Sequence, residues 1–197
     1  GSAIASAGKS PFAVPSAFHV SSTPQFTDTV YMGAWPRRVF EDIGLFSTDV
    51  GVNEDYEFNY RIRANGGKIY FNPAIKSTYF SRQTWSKLWR QYYRYGRSKV
   101  KSLKKHPESL RLRQVVAPIF VASLVGGIPL SLRARGVLLV YTAAIILYLV
   151  LSLVFANRVA HASDDDVQVW HIQTVFFIMH VAWGLGFWRE LLRPGPI

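Results

Sequence analysis

Asn53-Glu54-Asp55-Tyr56-Glu57-Phe58-Asn59-Tyr60-Arg61-Ile62-Arg63-Ala64-Asn65-Gly66-Gly67-Lys68 decides how the rest of this chain is read. Asn53 is a good N-cap, Glu54 and Asp55 fall in a first helical turn, and Gly66 stands just past the last one, so the spacing predicts a short helix with acids at its mouth. The carboxylates complement the helix dipole, and Glu57 is placed to support Arg61 four residues on. An extended run, Lys68-Ile69-Tyr70-Phe71-Asn72-Pro73, follows at once.

Working backward, Pro36 suits the first turn of a helix that runs to Ile43 with Gly44 as its stop, and Val39, Phe40 and Ile43 form its apolar stripe. Thr29 to Met32 reads as a short strand. Residues 1 to 27 are rich in Ser, Ala and Pro without a sustained period and read as loop. Working forward, Trp85, Leu88, Trp89 and Tyr92 share one helical face between Thr84 and Leu103, with Lys87, Arg90, Arg94 and Arg97 off it. That pattern predicts an interfacial helix, or one packed on the chain's own core, and the two are compatible.

Near residue 114 the composition changes. Three apolar runs follow, 114–132, 136–156 and 168–188, each near the about 20 residues that cross a hydrocarbon core. The expected organisation is a head over 1–83, a basic amphipathic region over 84–113 and a membrane region over 114–197. Pro118, Gly126-Gly127 and Pro129 make the first run the weakest span. If all three cross from a cytosolic start, Arg133, Arg135, Arg189 and Arg193 end outside, against the positive-inside tendency. If the first run is instead re-entrant or interfacial, all four return to the cytosol, and two full crossings plus one such run are expected.

The formal net charge is +11. Much of it lies between Arg82 and Arg113, beside aromatic residues and directly ahead of apolar runs, which points to an anionic membrane leaflet rather than to nucleic acid. The chain has no cysteine, hence no disulfide framework or thiolate metal site. A charged n-region followed by an apolar stretch is missing at the start, so no signal peptide is expected.

The helix-mouth acids, together with Asp28-Thr29-Val30, Gly33-Ala34-Trp35, Arg37-Arg38-Val39-Phe40 and Ile43-Gly44-Leu45-Phe46, resemble the acceptor half of family-2 inverting glycosyltransferases, close to the succinoglycan-type membrane enzymes. The resemblance runs from about Ala3 to about Lys101. It implies an α/β fold, the acceptor half of a glycosyltransferase-A fold, followed by α-helical transmembrane segments at the plasma (inner) membrane, with a cytoplasmic head. By the same resemblance Asp55 matches the base of a Glu-Asp motif, and the helix dipole is expected to keep it ionised. Glu54 is its motif partner, positioning acceptor or backbone.

Gln91-Tyr92-Tyr93-Arg94-Tyr95 resembles the Gln-x-x-Arg-Trp motif of membrane polysaccharide synthases, with Tyr for Trp. Gln91, Arg94 and Tyr95 would then bind substrate, Arg94 at the leaving diphosphate. The change to Tyr favours single transfers over processive polymerisation. The same three residue types also suit a solvated basic helix face. Arg61 and Arg82 match family positions too, Arg61 as the partner of Glu57.

The partners implied are a nucleotide sugar donor, a lipid-linked or polysaccharide acceptor and membrane lipids. A divalent metal, Mg or Mn, is expected for the intact enzyme. No ligands for it are identifiable in the sequence: His19, His106 and His161 lack metal-ligand spacing, and His171 and His180 are nine residues apart. His180 is expected to be a neutral packing contact. Asp164-Asp165-Asp166 lies between membrane segments and reads as a solvated loop. With no Gly-rich phosphate loop or early Asp-x-Asp, the chain is expected to be a part that is inactive alone. The rival reading is a non-catalytic membrane anchor, scaffold or split subunit derived from such an enzyme.

Overall fold

The structure, a computed structural model, describes residues 1–14, 22–30, 32–78, 80–163 and 165–194. Its elements run in the order α1 (Ser2–Ala7), β1 (Gln25–Thr27), α2 (Arg37–Ile43), α3 (Glu54–Ala64), β2 (Ile69–Phe71), α4 (Trp85–Lys105), α5 (Val116–Ser131), α6 (Arg135–His161) and α7 (Val169–Leu191). Two single-turn 3-10 segments, Pro107–Ser109 and Leu112–Gln114, join α4 to α5. Helix therefore dominates. The expected α/β character reduces, among the described residues, to one antiparallel pair, β1 with β2, in the register Phe26 opposite Tyr70.

Two apolar cores organise these elements. In the head, Phe58, Ile62 and Ile69 are buried against Val30, Trp35, Val39, Phe40 and Ile43. Phe58 stacks on Phe40 at 5.0 Å and meets Trp35 edge-on at 5.3 Å, which is why the α2 and α3 stripes face each other. The second core lies around α7, whose Ile172, Val175, Phe176, Met179 and Ala182 are buried by α1, α4, α5 and α6.

Several local expectations are corrected. Part of the segment read as loop is α1, and its Ile4 and Ala7 join the α7 core with Ala13. The first strand lies at Gln25–Thr27 rather than Thr29 to Met32. Buried Asn59 donates to the Thr29 hydroxyl at 3.0 Å and the Val30 carbonyl at 3.3 Å, and Met32 has a positive φ of 50°. The Val30 carbonyl is thereby engaged by a side chain rather than by a strand partner. Tyr31 and His19 lie outside the described residues.

Asn53 caps α3 by backbone only. It sits in the left-handed region at φ 69°, its carbonyl accepts from the Glu57 amide at 3.2 Å, and its side chain makes no cap bond. Asn tolerates that conformation better than most residues. At the other end Asn65 is the C-cap and Gly66, at φ 80°, turns the chain into β2.

The apolar stripe of α4 is covered by α7. Leu88 and Tyr92 are buried there, and a Cβ on Gly96 would overlap the Trp183 carbonyl while one on Gly186 would overlap the Tyr93 carbonyl. The backbones approach this closely because both contact positions are glycine. Arg97 and Glu190 add an ion pair of 2.7 Å across the same seam.

By length and hydropathy two segments are able to cross a membrane, Leu112–Ser131 and Arg135–His161. The first is the run that its Pro and Gly residues had made weakest. Pro118 falls in the first turn of α5, where a missing N–H costs least, whereas Pro129 lies inside the helix near its end and gives up one intrahelical bond. The third run, α7, does not meet that criterion and is instead the buried centre of the helical body. Helices α5 and α6 touch each other at Gly127 and Tyr141 and at Phe120 and Tyr148. Beyond Val121 and before Tyr148 their outer residues are bare, with Val125 69%, Leu139 71% and Val140 72% exposed. An apolar hairpin arm thus projects from the body, with Arg133 and Arg135 at its tip.

His180 is packed as expected, ringed by Phe12, Phe120 and Tyr148, with its Nδ1 3.2 Å from the Tyr148 hydroxyl. Asp165 and Asp166 are exposed between α6 and α7, and Asp164 lies outside the described residues.

Candidate active site

The first turn of α3 presents Glu54 exposed and Asp55 half-buried. One Asp55 carboxylate oxygen accepts from the Tyr56 amide at 2.7 Å. Burial is the larger influence and pushes the Asp55 carboxyl up from its ordinary value; neighbouring Glu54 also raises it, against the lowering effect of the Tyr56 amide. The direction is opposite to the one expected from the helix dipole alone.

Glu57, one turn further in, is buried and belongs to the scaffold. Its two oxygens accept from Arg61 at 2.9 and 3.1 Å, and the first also lies 3.0 Å from His106 Nε2. Arg61 in turn donates to the Ile43 and Leu45 carbonyls at 2.6 and 2.7 Å, fixing the chain between α2 and α3. The expected pairing of Arg61 with Glu57 is present, extended to His106 at the C-cap of α4. Tyr60 donates to Glu108, and Arg113 pairs with Asp28 at 2.9 Å. The face of α3 that carries Tyr56, Glu57 and Tyr60 is thereby docked on residues 106–114.

Gln91, Arg94 and Tyr95 come together, with Val52, Arg82, Lys87 and Arg90, around an open cavity of about 280 Å³. Arg82 Nε donates to Gln91 Oε1 at 3.0 Å, and Gln91 Nε2 donates to the Tyr95 hydroxyl at 2.7 Å. The i, i+4 spacing of Lys87, Gln91 and Tyr95, and of Arg90 and Arg94, builds the wall from consecutive turns of α4. Sequence reading placed Lys87 and Arg90 on this helix without assigning them to the site. Their spacing from Gln91 and Arg94 was the signal that would have done so.

Among the described residues none of these four cations has a carboxylate within salt-bridge distance. Four unneutralised cations, an amide and a phenol thus share one concave wall, an arrangement that gives it a positive potential. Asp55 is not in the wall; Val52, three residues before it, is. The acids at the mouth of α3 and the cationic wall are thus neighbouring features rather than one cluster.

The residues present do not fit a metal centre. Among the described residues no group of three or more His, Asp or Glu is placed to hold one.

The chain belongs to the glycosyl transferase family group 2, whose family model matches residues 14–188. Among curated proteins it is 31% identical over 158 residues to the succinoglycan biosynthesis protein ExoA of Rhizobium meliloti (strain 1021), covering 79% of this chain and 45% of that protein. It is also 24% identical over 184 residues to a dolichyl N-acetyl-alpha-D-glucosaminyl phosphate 3-beta-D-2,3-diacetamido-2,3-dideoxy-beta-D-glucuronosyltransferase of Methanococcus voltae, covering 93% of this chain and 53% of that protein. The chain therefore spans about half the length of the curated relatives it matches. No solved structure gives a significant match.

Proposed function

We propose that this chain is the acceptor-side and membrane-attached part of an inverting glycosyltransferase that moves a sugar from a nucleotide donor to a lipid-linked or polysaccharide acceptor. The observation that carries the reading is the cationic wall of α4, which gathers Gln91, Arg94 and Tyr95 beside the segment leading into the Glu54-Asp55 motif.

In this mechanism Asp55 takes the proton of an acceptor hydroxyl as that oxygen bonds to the anomeric carbon from the face opposite the leaving group. The bond from the anomeric carbon to the diphosphate oxygen breaks, and the negative charge departs with the nucleotide diphosphate. Burial that raises the Asp55 pKa brings the carboxylate nearer the strength a general base needs. Arg94, with Arg82, Lys87 and Arg90, meets the charge that develops on the diphosphate. Gln91 and Tyr95, held by their mutual bond, shape the floor beneath the sugar.

The chain spans about half the length of its curated relatives, and we take transfer to need a donor-binding part as well. The hairpin of α5 and α6 fits insertion into the plasma membrane, and from a cytosolic head it carries Arg133 and Arg135 across against the positive-inside tendency. At 27 residues and about 1.5 Å per residue α6 is about 40 Å long, enough to cross.

Asp55→Asn in the full-length enzyme, expressed in membranes, is the test. Transfer is expected to fall by at least about three orders of magnitude, the scale lost with a dominant catalytic group, with membrane insertion intact. Unchanged turnover removes Asp55 as the base.

A further inference from the structure

Lys99 lies one turn beyond Tyr95 on α4 and is 5% exposed, yet among the described residues no carboxylate pairs with it. Its Nζ donates to the carbonyl and to the hydroxyl of Ser109, both at 3.3 Å, and stands 4.4 Å from the centre of the Tyr56 ring. The Tyr56 hydroxyl donates to the same Ser109 carbonyl at 3.1 Å and receives the Gln114 amide at 3.4 Å. Tyr56 adjoins Asp55. A single buried ammonium therefore touches the residue next to the base from the helix that builds the cationic wall.

We propose that Lys99 is a positioning residue for sugar transfer: held on Tyr56 and Ser109, it clamps the mouth of α3 to α4 and sets where Asp55 stands relative to the cationic wall. The inference rests on the glycosyltransferase reading above. The alternative is a lysine that only fills space, and the physical chemistry separates the two. A desolvated cation without a counter-carboxylate is a poor stabiliser, and a methionine of similar length fills the space without desolvating a charge.

The charged surroundings agree. Burial, then Arg111 and Arg113 on the segment after α4, lower the Lys99 pKa to about 8, and only Asp28, before α2, opposes them. Tyr56 from α3 supplies a neutral ring and Ser109 neutral oxygens. A folded-state pKa below the ordinary lysine value means the charge penalty is present below about pH 8 and is relieved as pH rises through that value. Removing the charge should stabilise the fold at neutral pH. A clamp predicts that turnover nevertheless falls.

The test uses full-length protein in native membranes with UDP-, GDP- and dTDP-linked hexoses as donors. For Lys99→Met, kcat is expected to drop at least tenfold with KM within twofold, and melting in detergent to occur no lower than wild type. Wild-type turnover should decline above about pH 8, and Lys99→Arg, which keeps its charge, should lose that alkaline decline while retaining activity. These 197 residues hold no cysteine, so with any cysteine elsewhere in the full-length protein replaced by serine, nitroxides at Ala64→Cys and Ser86→Cys report the α3 to α4 distance without transfer being needed. That distribution should broaden in Lys99→Met.

Absence of transfer by the wild type with every donor overturns the enzymatic reading, while the nitroxide distances still decide the clamp. Unchanged kcat or unchanged distances in Lys99→Met overturn the role of Lys99. Should Lys99→Met fail to fold, the pH profile of Lys99→Arg decides: an alkaline decline identical to wild type refutes the inference.

Discussion

Replacing Glu57 by Gln tests whether the docking of α3 is an electrostatic construction or a by-product of apolar packing. The side chain of Glu57 is 2% exposed and that of Arg61 17%, so both charges of the pair are largely out of water. Breaking one side of a buried pair costs about 3–5 kcal/mol, chiefly because the survivor is left desolvated. Residual solvent contact at Arg61 and at His106, together with the retained amide oxygen, brings the expectation to about 2–4 kcal/mol.

For a chain of this size, at about 2–4 °C per kcal/mol, that amounts to a midpoint lowered by about 5–15 °C. The assay is thermal or urea unfolding of the full chain in detergent, completed as a double-mutant cycle with Arg61→Met. Contact between the two residues predicts a coupling energy of at least about 1 kcal/mol. The loss should barely change with salt, unlike any effect at the exposed pair Arg37 and Glu41. A loss below about 0.5 kcal/mol, or strict additivity in the cycle, would refute the reasoning and assign α3 docking to Phe58 and its aromatic neighbours.

Three further outcomes are expected. Gly96→Val puts a branched side chain into the Trp183 carbonyl, so α4 and α7 must separate. The expected loss is about 3 kcal/mol or more, read as a lowered detergent melting point, while Gly126→Val, facing open space, should stay within about 1 kcal/mol. Asp55→Asn should raise the midpoint at neutral pH even as transfer is lost. The folded-state pKa is raised, so protonation is favoured in the folded chain, and the ionised carboxylate destabilises it at any pH above that value. A midpoint lowered at pH 7, or raised at pH 3, contradicts the sign. Finally, Val140→Cys on the bare arm of α6 should resist an aqueous maleimide in intact membranes and react after detergent solubilisation. Labelling in intact membranes at the rate of Ala64→Cys would show that the arm does not enter lipid.

Much of the local structure was legible because short-range chemistry sets it. The stripe of Val39, Phe40 and Ile43, the acids before Phe58, and Gly66 after Ala64 specify α2 and α3 with no reference to the rest of the chain. The gathering of Gln91, Arg94 and Tyr95 on one wall follows from helical spacing, and the hairpin's solvent preference from unbroken apolar runs. Thr29 and Val30 were misread because β propensity competes with a buried amide, Asn59, thirty residues away. The same limit applies to the caps, where Asn53 acts through an unusual backbone conformation rather than its side chain.

What the sequence determined by itself was carried by periodicity and composition: the helices from α2 onward, where the basic region lies, which runs are apolar, and the family resemblance of the acidic and Gln-x-x-Arg motifs. Which apolar helix would be buried required tertiary structure. Runs 114–132, 136–156 and 168–188 look alike as strings, and only the fit of Gly96 and Gly186 at a backbone crossing, with α1 and α5 closing over the opposite side, makes α7 the core and leaves the arm of α5 and α6 bare. Lys99 is the sharper case. Nothing in its neighbours in sequence distinguishes it from Lys101 or Lys104, because desolvation is a property of the three-dimensional surroundings, set here by Tyr56 and Ser109 meeting over one turn of α4.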